Sequence, residues 1–290
     1  MGYSLSGAEY SVDALRGDGY PWTDPQGERT MPFMTKDGFR LYYEDTGGNA
    51  PVIMFLHGAG GNHLSWWQQV PVFADEYRCV TVDQRGFGQS PDVPGGPGPA
   101  ALGTDAVALL DHLGISRAAI VAQSMGGWAA VGAAVRAPER FWAIVLANTV
   151  GNLTNADIAA VRQRLAAASP PRPAVLWHAA IGPTFRKQQP VRSFLYAQIS
   201  GLNAPLTADF RDQLLRLTTP VERYAATRVP TFFLTSEEDG LIWPELSAKV
   251  HAHVPGSRFE RVEAAGHSTY FERPDVFNRE VGAFLKEHRP

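Results

Sequence analysis

One serine in this chain stands where a serine can act as a nucleophile. Ser124 lies between the apolar run 118–122 and the small-residue run 128–135. With Ala122 two positions before it and Gly126 two after, it fits a strained turn from a buried strand into a helix, which exposes the hydroxyl above the sheet edge. The start of that helix would offer free N–H groups to an oxyanion. Serine is also a favoured N-cap, so the pattern alone leaves an ordinary helix start open.

A nucleophilic serine needs a base within hydrogen-bond reach, and an acid that orients the base. On a turn of this kind the chain order is serine, then an acid, then histidine. Among the histidines after Ser124, His267 follows the run 259–262 and precedes the last helical pattern, so we predict it on a loop at the same sheet edge. His251 and His253 would point to different faces of a helix and make a poor metal pair.

The orienting acid is predicted in the segment that follows the apolar run 231–234. Asp239 lies there, 28 residues before His267, on a loop expected at the same sheet edge. Because a glycine follows it, Asp239 could also be an ordinary turn residue. Glu237 and Glu238 are rival candidates, which the sequence does not separate from Asp239 by geometry.

Two backbone amides are needed to bind the oxyanion. One would be the amide of Met125, directly after the serine, and the other would come from the glycine-rich loop 57–61. The pair Gly58 and Gly60 after a strand also resembles part of a dinucleotide-binding fingerprint, but His63 stands where its third glycine belongs. We therefore favour an oxyanion loop.

The elements that must position these residues alternate along the chain. Short apolar runs predict strands at 31–35, 39–45, 52–56, 79–82, 118–122, 144–147, 231–234 and 259–262. Helical patterns lie between them at 66–76, 104–113, 127–136, 244–253 and 274–288. This alternation predicts an α/β fold with a mostly parallel central sheet flanked by helices.

The stretch 149–227 breaks the alternation. It shows no convincing strand and predicts helices at 157–168, 172–181, 190–201 and 207–217. An insertion at the carboxyl edge of the sheet would cover the ligand-binding edge, so we predict a helical cap or lid. The predicted organisation is an N-terminal extension at 1–30, a core at 31–148 and 228–290, and the cap. Trp128 and Trp177 are candidates for an apolar substrate pocket, with core packing as the alternative for each.

Composition limits the classes of function. The chain has 290 residues, a net charge of −3 and a pI near 6.2, which do not favour a general nucleic-acid binder. Its single cysteine, Cys79, cannot form an internal disulfide. The start lacks the pattern of a secretory signal, and no run approaches the roughly 20 apolar residues of a membrane helix. We expect a cytoplasmic protein with a small-molecule substrate, without a membrane, nucleic-acid, cofactor or metal requirement.

Five motifs in this order resemble those of the α/β-hydrolase superfamily. They are His57-Gly-Ala-Gly-Gly61, Asp83-Gln-Arg-Gly-Phe-Gly-Gln-Ser90, Gln123-Ser-Met-Gly-Gly127, Glu238-Asp239 and Gly266-His267. The resemblance covers about 31–148 and 228–290, with the insertion in the family's cap position. It implies an α/β-hydrolase fold with Ser124 as nucleophile, His267 as base and Asp239 as orienting acid. It also implies that the amides of Ala59 and Met125 bind the oxyanion.

The resemblance also narrows the chemistry. Family members that attack with an aspartate, the haloalkane dehalogenases and epoxide hydrolases, do not match Ser124. Members that hydrolyse carbon–carbon bonds often carry a tryptophan just after the histidine, whereas Ser268 stands here. We expect a serine hydrolase that cleaves a carboxylic ester or related acyl bond of a small, mostly apolar substrate. A carbon–carbon hydrolase, a lactonase, a cofactor-free haloperoxidase and a weakly catalytic ligand receptor stay as alternatives.

Overall fold

A central sheet of eight strands organises the molecule. The computed structural model describes residues 32–169, 179–207 and 209–290. The sheet contains β1 (Phe33–Lys36), β2 (Phe39–Asp45), β3 (Val52–Leu56), β4 (Arg78–Val82), β5 (Ala118–Gln123), β6 (Phe141–Ala147), β9 (Thr231–Ser236) and β10 (Arg258–Val262). Their spatial order is β1-β2-β4-β3-β5-β6-β9-β10. Strand β2 is antiparallel to both of its neighbours, β1 and β4, and the other five pairs are parallel, so the mostly parallel sheet predicted from the sequence is confirmed.

Apolar side chains on both faces of the sheet explain why its central strands are continuous apolar runs. All five residues of β3 are buried. Ile53 and Phe55 belong to the hydrophobic cluster on one face, while Met54 and Leu56 belong to the cluster on the other. This alternation is the two-residue period of a strand covered on both sides. Burial on both faces makes the sheet a rigid support for the loops at its carboxyl edge.

Helices cover the two faces and fill the long connection between β6 and β9. The described α-helices are α1 (Val70–Phe73), α2 (Leu102–His112), α3 (Gly126–Arg136), α4 (Ala156–Ala168), α5 (Pro183–Gln188), α6 (Pro190–Ser200), α7 (Phe210–Arg216), α8 (Val221–Ala225), α9 (Pro244–His251), α10 (Thr269–Glu272) and α11 (Pro274–His288). Most agree with the predicted helices to within two or three residues. Helices α5, α8 and α10 were not predicted, although Pro183 at the start of α5 is a favoured first helical residue.

The helix predicted at 66–76 is wrong. The chain forms a 3₁₀ turn at His63–Trp66 and then the single turn α1. Pro71 lies in the first turn of α1, where its missing N–H is tolerated. Further inside a helix it would remove a hydrogen bond, so a continuous helix through this segment is not favoured.

The connection between β6 and β9 is helical with one small exception. Leu153–Thr154 (β7) and Thr219–Pro220 (β8) form a parallel two-residue pair near its two ends, where the sequence predicted no strand. The helix predicted at 172–181 lies mostly outside the described residues, as does the predicted extension at 1–30. In the described part of the chain, no helix has the length and apolar character needed to cross a membrane.

Candidate active site

Ser124 lies on a sharp turn between β5 and α3. Its φ of 48° is in the left-handed region, which costs free energy for any residue other than glycine. The Ser124 N–H donates to the carbonyl of Ala147 at the end of β6, at 3.1 Å, and its own carbonyl accepts from Gly127 N at 2.9 Å. The helix N-cap position is Met125. The sheet and the helix therefore hold the strained turn together, and the serine side chain does not cap the helix.

Two glycines let this turn pack closely. A Cβ at Gly126 would collide with the backbone carbonyl of Leu56, and a Cβ at Gly127 would collide with the Thr149 side chain. The small residue two positions after the serine is thus required by the approach of α3 to the end of β3. This contact fixes the start of α3 against the carboxyl edge of the sheet.

The structure brings Ser124, His267 and Asp239 together. The Ser124 Oγ lies 2.7 Å from His267 Nε2, and His267 Nδ1 lies 2.9 Å from both carboxylate oxygens of Asp239. Because a carboxylate accepts hydrogen bonds, Nδ1 carries the proton and Nε2 is free to accept from the serine hydroxyl. His267 and Asp239 are both buried. The three side chains come from the loops after β5, β10 and β9.

Asp239 is also fixed by its own loop. Its Oδ1 accepts the N–H groups of Leu241 and Ile242 at 2.9 and 2.8 Å. The rival acids point elsewhere. The Glu238 carboxylate accepts from the backbone N–H and hydroxyl of Thr184, and Glu237 is exposed on the surface. Of the three acids considered from the sequence, Asp239 is the one that contacts His267.

The loop after β3 is shaped by His57. Its Nδ1 donates to the carbonyl of Gly58 at 2.8 Å, and its Nε2 accepts the N–H of Gln84 at 3.0 Å. Burial lowers the pKa of His57 to about 4, so the ring is neutral near pH 7. Within the described ranges, neither the amide of Ala59 nor that of Met125 bonds to an acceptor. Both amides are therefore free to receive a ligand oxygen, as an oxyanion site requires.

A small cavity of about 40 Å³ opens beside the Ser124 hydroxyl. The core and the β6–β9 connection both contribute to its walls, through Ala59, Gly60, Gln123, Ser124, Leu241 and His267 on one side and Ala180, Tyr196 and Ser200 on the other. None of these lining residues is Asp, Glu, Lys or Arg.

Comparison with known proteins identifies the family. A family model for the alpha/beta hydrolase fold matches residues 51–274. The chain belongs to the α/β-hydrolase fold family. It is 31% identical over 270 residues to 3-oxoadipate enol-lactonase 2 of Acinetobacter baylyi, across 87% of this chain and 96% of that protein.

Two further relatives differ in the reaction that their names describe. The chain is 26% identical over 284 residues to the 2-hydroxy-6-oxononadienedioate/2-hydroxy-6-oxononatrienedioate hydrolase of Cupriavidus pinatubonensis, across 88% of this chain and 95% of that protein. The solved structure of a thermophilic esterase from Thermogutta terrifontis is 22% identical, with a TM-score of 0.73 over 90% of this chain and 98% of that one. The family resemblance is confirmed, and the chain is a hydrolase.

In this α/β-hydrolase the prediction for Trp128 needs correction. Its indole N–H donates to the carbonyl of Leu214 at 2.9 Å, and the ring packs against the hydrophobic core. It is absent from the described lining of the cavity beside Ser124. The side chain leaves α3 toward α7, so it joins these helices together. Trp177 lies outside the residues that the structure describes.

Asn148 is a site residue that the sequence reasoning missed. It directly follows β6 and is completely buried. Its Nδ2 donates to the Asp239 carboxylate at 3.1 Å and to the Ser236 hydroxyl at 2.7 Å, while its Oδ1 accepts from the Thr269 hydroxyl at 2.7 Å. Asn148 thus joins the acid loop to the segment after His267. The sequence signal that could have identified Asn148 is its place as a polar residue directly after a buried parallel strand.

The segment after β4 has a structural role. Arg85 donates to the carboxylates of Asp105 and Asp92, at 2.7 Å each, and its guanidinium lies 3.5 Å from the centre of the Phe39 ring. Asp83, the residue directly after β4, is buried and bonded to His63. The charged groups of Arg85 and Asp83 therefore bond to other side chains of the fold. Among the described residues, no group of three or more His, Cys, Asp or Glu side chains could hold a metal ion.

Proposed function

We propose that this α/β-hydrolase cleaves a carboxylic ester of a small, mostly apolar substrate through an acyl-enzyme. The observation that carries the proposal is the continuous hydrogen-bonded series from Asp239 through His267 to Ser124, with distances of 2.9 and 2.7 Å. A neutral imidazole that accepts from a serine hydroxyl and donates to a buried carboxylate is the arrangement that a serine nucleophile requires.

In the first half of the reaction, Ser124 Oγ attacks the ester carbonyl carbon while His267 Nε2 takes its proton. The carbonyl oxygen becomes an oxyanion, which the free amides of Ala59 and Met125 would stabilise. Collapse of this intermediate breaks the bond to the alcohol oxygen, and His267 gives its proton to the departing alcohol. The Asp239 carboxylate stabilises the imidazolium while it exists.

In the second half, water replaces the alcohol. His267 takes a proton from the water, whose oxygen attacks the acyl carbon on Ser124. The second oxyanion uses the same two amides, and its collapse breaks the bond to Ser124 Oγ, which regains the proton from His267. The carboxylic acid leaves, and the resting enzyme is restored.

The cavity supports a small, uncharged acyl group. Its described lining holds apolar groups from Ala180, Leu241 and Ala59, and hydroxyl groups from Tyr196 and Ser200. A carboxylate on the substrate next to the ester would meet no Lys or Arg side chain among these residues. Because three of the lining residues lie within 149–227, we propose that this stretch is the cap and that it selects the substrate.

Lactone hydrolysis is the second candidate. A lactone is a cyclic ester, so the same two steps would open it, with the alcohol still attached to the acyl group. The 31% identity to a protein named as an enol-lactonase favours this alternative. The relative named as a dienedioate hydrolase keeps carbon–carbon cleavage among the reactions to test. Haloperoxidase activity and slow-turnover ligand binding are further outcomes to be measured.

The proposal is tested by covalent labelling and turnover. Purified protein is incubated with a fluorophosphonate, and the modified residue is located by peptide mass spectrometry. We expect one phosphonate per chain on Ser124, and no label on Ser124→Ala. Turnover is then compared for p-nitrophenyl acetate, p-nitrophenyl octanoate and dihydrocoumarin. Preferred turnover of the acetate supports a small ester substrate, and preferred turnover of dihydrocoumarin supports a lactonase.

Other results would contradict the proposal. Stoichiometric labelling without turnover of any ester or lactone would favour a ligand receptor. An unlabelled Ser124 in folded protein would remove the assignment of a nucleophile altogether.

A further inference from the structure

A buried carboxylate lies beside the loop that carries His267. Glu272 ends α10 and is 3% exposed. Its Oε2 accepts the N–H groups of Gly266 at 2.8 Å and Gly182 at 2.9 Å, and its Oε1 accepts the N–H of Ser268 at 3.1 Å. In the part of the chain that the structure describes, no Lys or Arg forms an ion pair with Glu272. Backbone amides therefore stabilise this carboxylate in place of a cation.

Two of these amides flank the histidine. Gly266 and Ser268 are the residues directly before and after His267. The Glu272 carboxylate therefore binds the backbone on both sides of the histidine. The carbonyl of His267 itself accepts from Gln123 Nε2 at 2.7 Å. The backbone of His267 is thus fixed, and so is the position of the Cα atom from which its side chain extends toward Ser124.

The third amide belongs to the connection between β6 and β9. A Cβ at Gly182 would lie 2.8 Å from Gly266 N, 2.6 Å from Glu238 Oε2 and 3.0 Å from Glu272 Oε2, so only glycine fits there. Glu238, the residue before Asp239, accepts from Thr184. The segment 182–184 is therefore bound to both loops that supply the acid and the base.

We infer that Glu272 is a positioning residue that holds His267 in register with Ser124 and joins the proposed cap to the His267 loop. The inference rests on the proposed function, because it takes His267 to be the base. Glu272 touches no reacting atom, so it would act only through the backbone of its neighbours. Burial raises the pKa of Glu272, and the N–H groups of Gly266, Gly182 and Ser268 lower it in part.

The test measures how fast a fluorophosphonate labels Ser124 between pH 5 and 9 in the wild type and in Glu272→Gln. The amide of glutamine offers one acceptor oxygen where the carboxylate offers two, so at least one N–H loses its partner. We expect labelling to slow roughly 10- to 100-fold, because small misplacements of a catalytic group have effects of this size. We also expect the midpoint of the acid limb to move to lower pH, since loss of a negative charge nearby destabilises the His267 imidazolium.

Thr184→Val is the matched control. It removes the hydroxyl that Glu238 accepts from, and so weakens the attachment of the 182–184 segment without touching the amides beside His267. The pH midpoint of labelling is expected to equal that of the wild type. If Thr184→Val slows labelling and moves the midpoint as much as Glu272→Gln does, attachment of the cap alone explains the effect and the inference is overturned.

A second variant keeps the test decisive if Glu272→Gln does not fold. Glu272→Asp retains the charge but is one methylene shorter, so it cannot reach all three amides. Slower labelling in folded Glu272→Asp, with the wild-type pH midpoint, supports the inference, and wild-type labelling in either folded variant refutes it. Failure of the proposed function would look different, because the wild type itself would then take up no label on Ser124.

Discussion

Both carboxylate oxygens of Asp239 lie 2.9 Å from Nδ1 of His267. This contact identifies Nδ1 as the protonated nitrogen of the imidazole. A carboxylate oxygen can only accept a hydrogen bond, so the ring nitrogen that faces it must donate one. The remaining nitrogen, Nε2, must then be the acceptor that faces Ser124. A substitution that moves the ring proton from Nδ1 to Nε2 should stop proton transfer from Ser124 while leaving the fold intact.

Asp239→Asn provides that change. Its amide nitrogen would donate toward the ring, so Nδ1 becomes an acceptor and Nε2 carries the proton. Nε2 can then no longer accept the proton of the Ser124 hydroxyl. We expect kcat/KM for the preferred ester to fall about 10⁴-fold, as for the equivalent change in other serine triads. Glu238→Gln, which changes the neighbouring acid that does not contact His267, is the comparison. Equal losses in the two variants would contradict the assignment of Asp239.

Replacement of Ser124 should separate activity from stability. Both Ser124→Ala and Ser124→Gly remove the nucleophile, so neither should take up a fluorophosphonate. Because φ is 48° at this position, glycine avoids a strain that alanine retains, and we expect Ser124→Gly to be more stable than Ser124→Ala by about 1 kcal/mol. Chemical denaturation measures the difference. A more stable alanine variant would show that the turn relaxes when the hydroxyl is lost.

Stability should fall with acid through His57. Burial lowers the pKa of this ring to about 4, so between pH 6.5 and 4 the unfolded chain binds a proton that the folded chain does not. The free energy of unfolding should therefore decrease as the pH falls through this window, by about 3 kcal/mol from this group. Urea denaturation of the wild type and His57→Gln at pH 4.5 and 7 checks this. Identical pH slopes in the two proteins would be inconsistent with a neutral buried imidazole.

Two glycines of α3 should respond oppositely to alanine. At Gly126 a Cβ would collide with the Leu56 carbonyl, whereas at Gly132 the nearest atom would be Gly103 Cα at 3.5 Å, an ordinary contact. We expect Gly126→Ala to destabilise the fold by about 1–3 kcal/mol, and Gly132→Ala to stabilise it by up to about 1 kcal/mol through helix propensity. Thermal unfolding compares them. Similar melting temperatures would mean that α3 can move away from β3.

The sequence predicted most elements that carry chemistry, because buried parallel strands are continuous apolar runs. The positions of Ser124, Asp239 and His267 in the segments that follow such runs were enough to predict that they would share one edge. Asp239 was favoured over Glu237 and Glu238 by its position and by the family resemblance, but the geometry that separates the three acids could not be predicted, since it depends on where the loop after β9 turns. For Trp128 the sequence left both a substrate pocket and core packing open, because the face of a helix that meets another segment depends on tertiary packing.

Glu272 shows a deeper limit of sequence reasoning. Its partners are backbone amides, which every residue except proline possesses, so no side-chain pattern marks the interaction. The same holds for Gly182, whose role depends on the close approach of two carboxylates from distant parts of the chain. Contacts of this kind become visible only when the loops are seen together.

The connection between β6 and β9 leaves and rejoins the sheet on two neighbouring strands, with Ile144 paired to Thr231. Since the two strands are hydrogen-bonded directly to each other, changing the exposed part of this connection need not shift either strand. New substrate preferences could thus arise by modular replacement, during evolution or in the laboratory. Any transplanted segment would have to reproduce Asn148 and the short stretch 182–184, which bind the loops of Asp239 and His267.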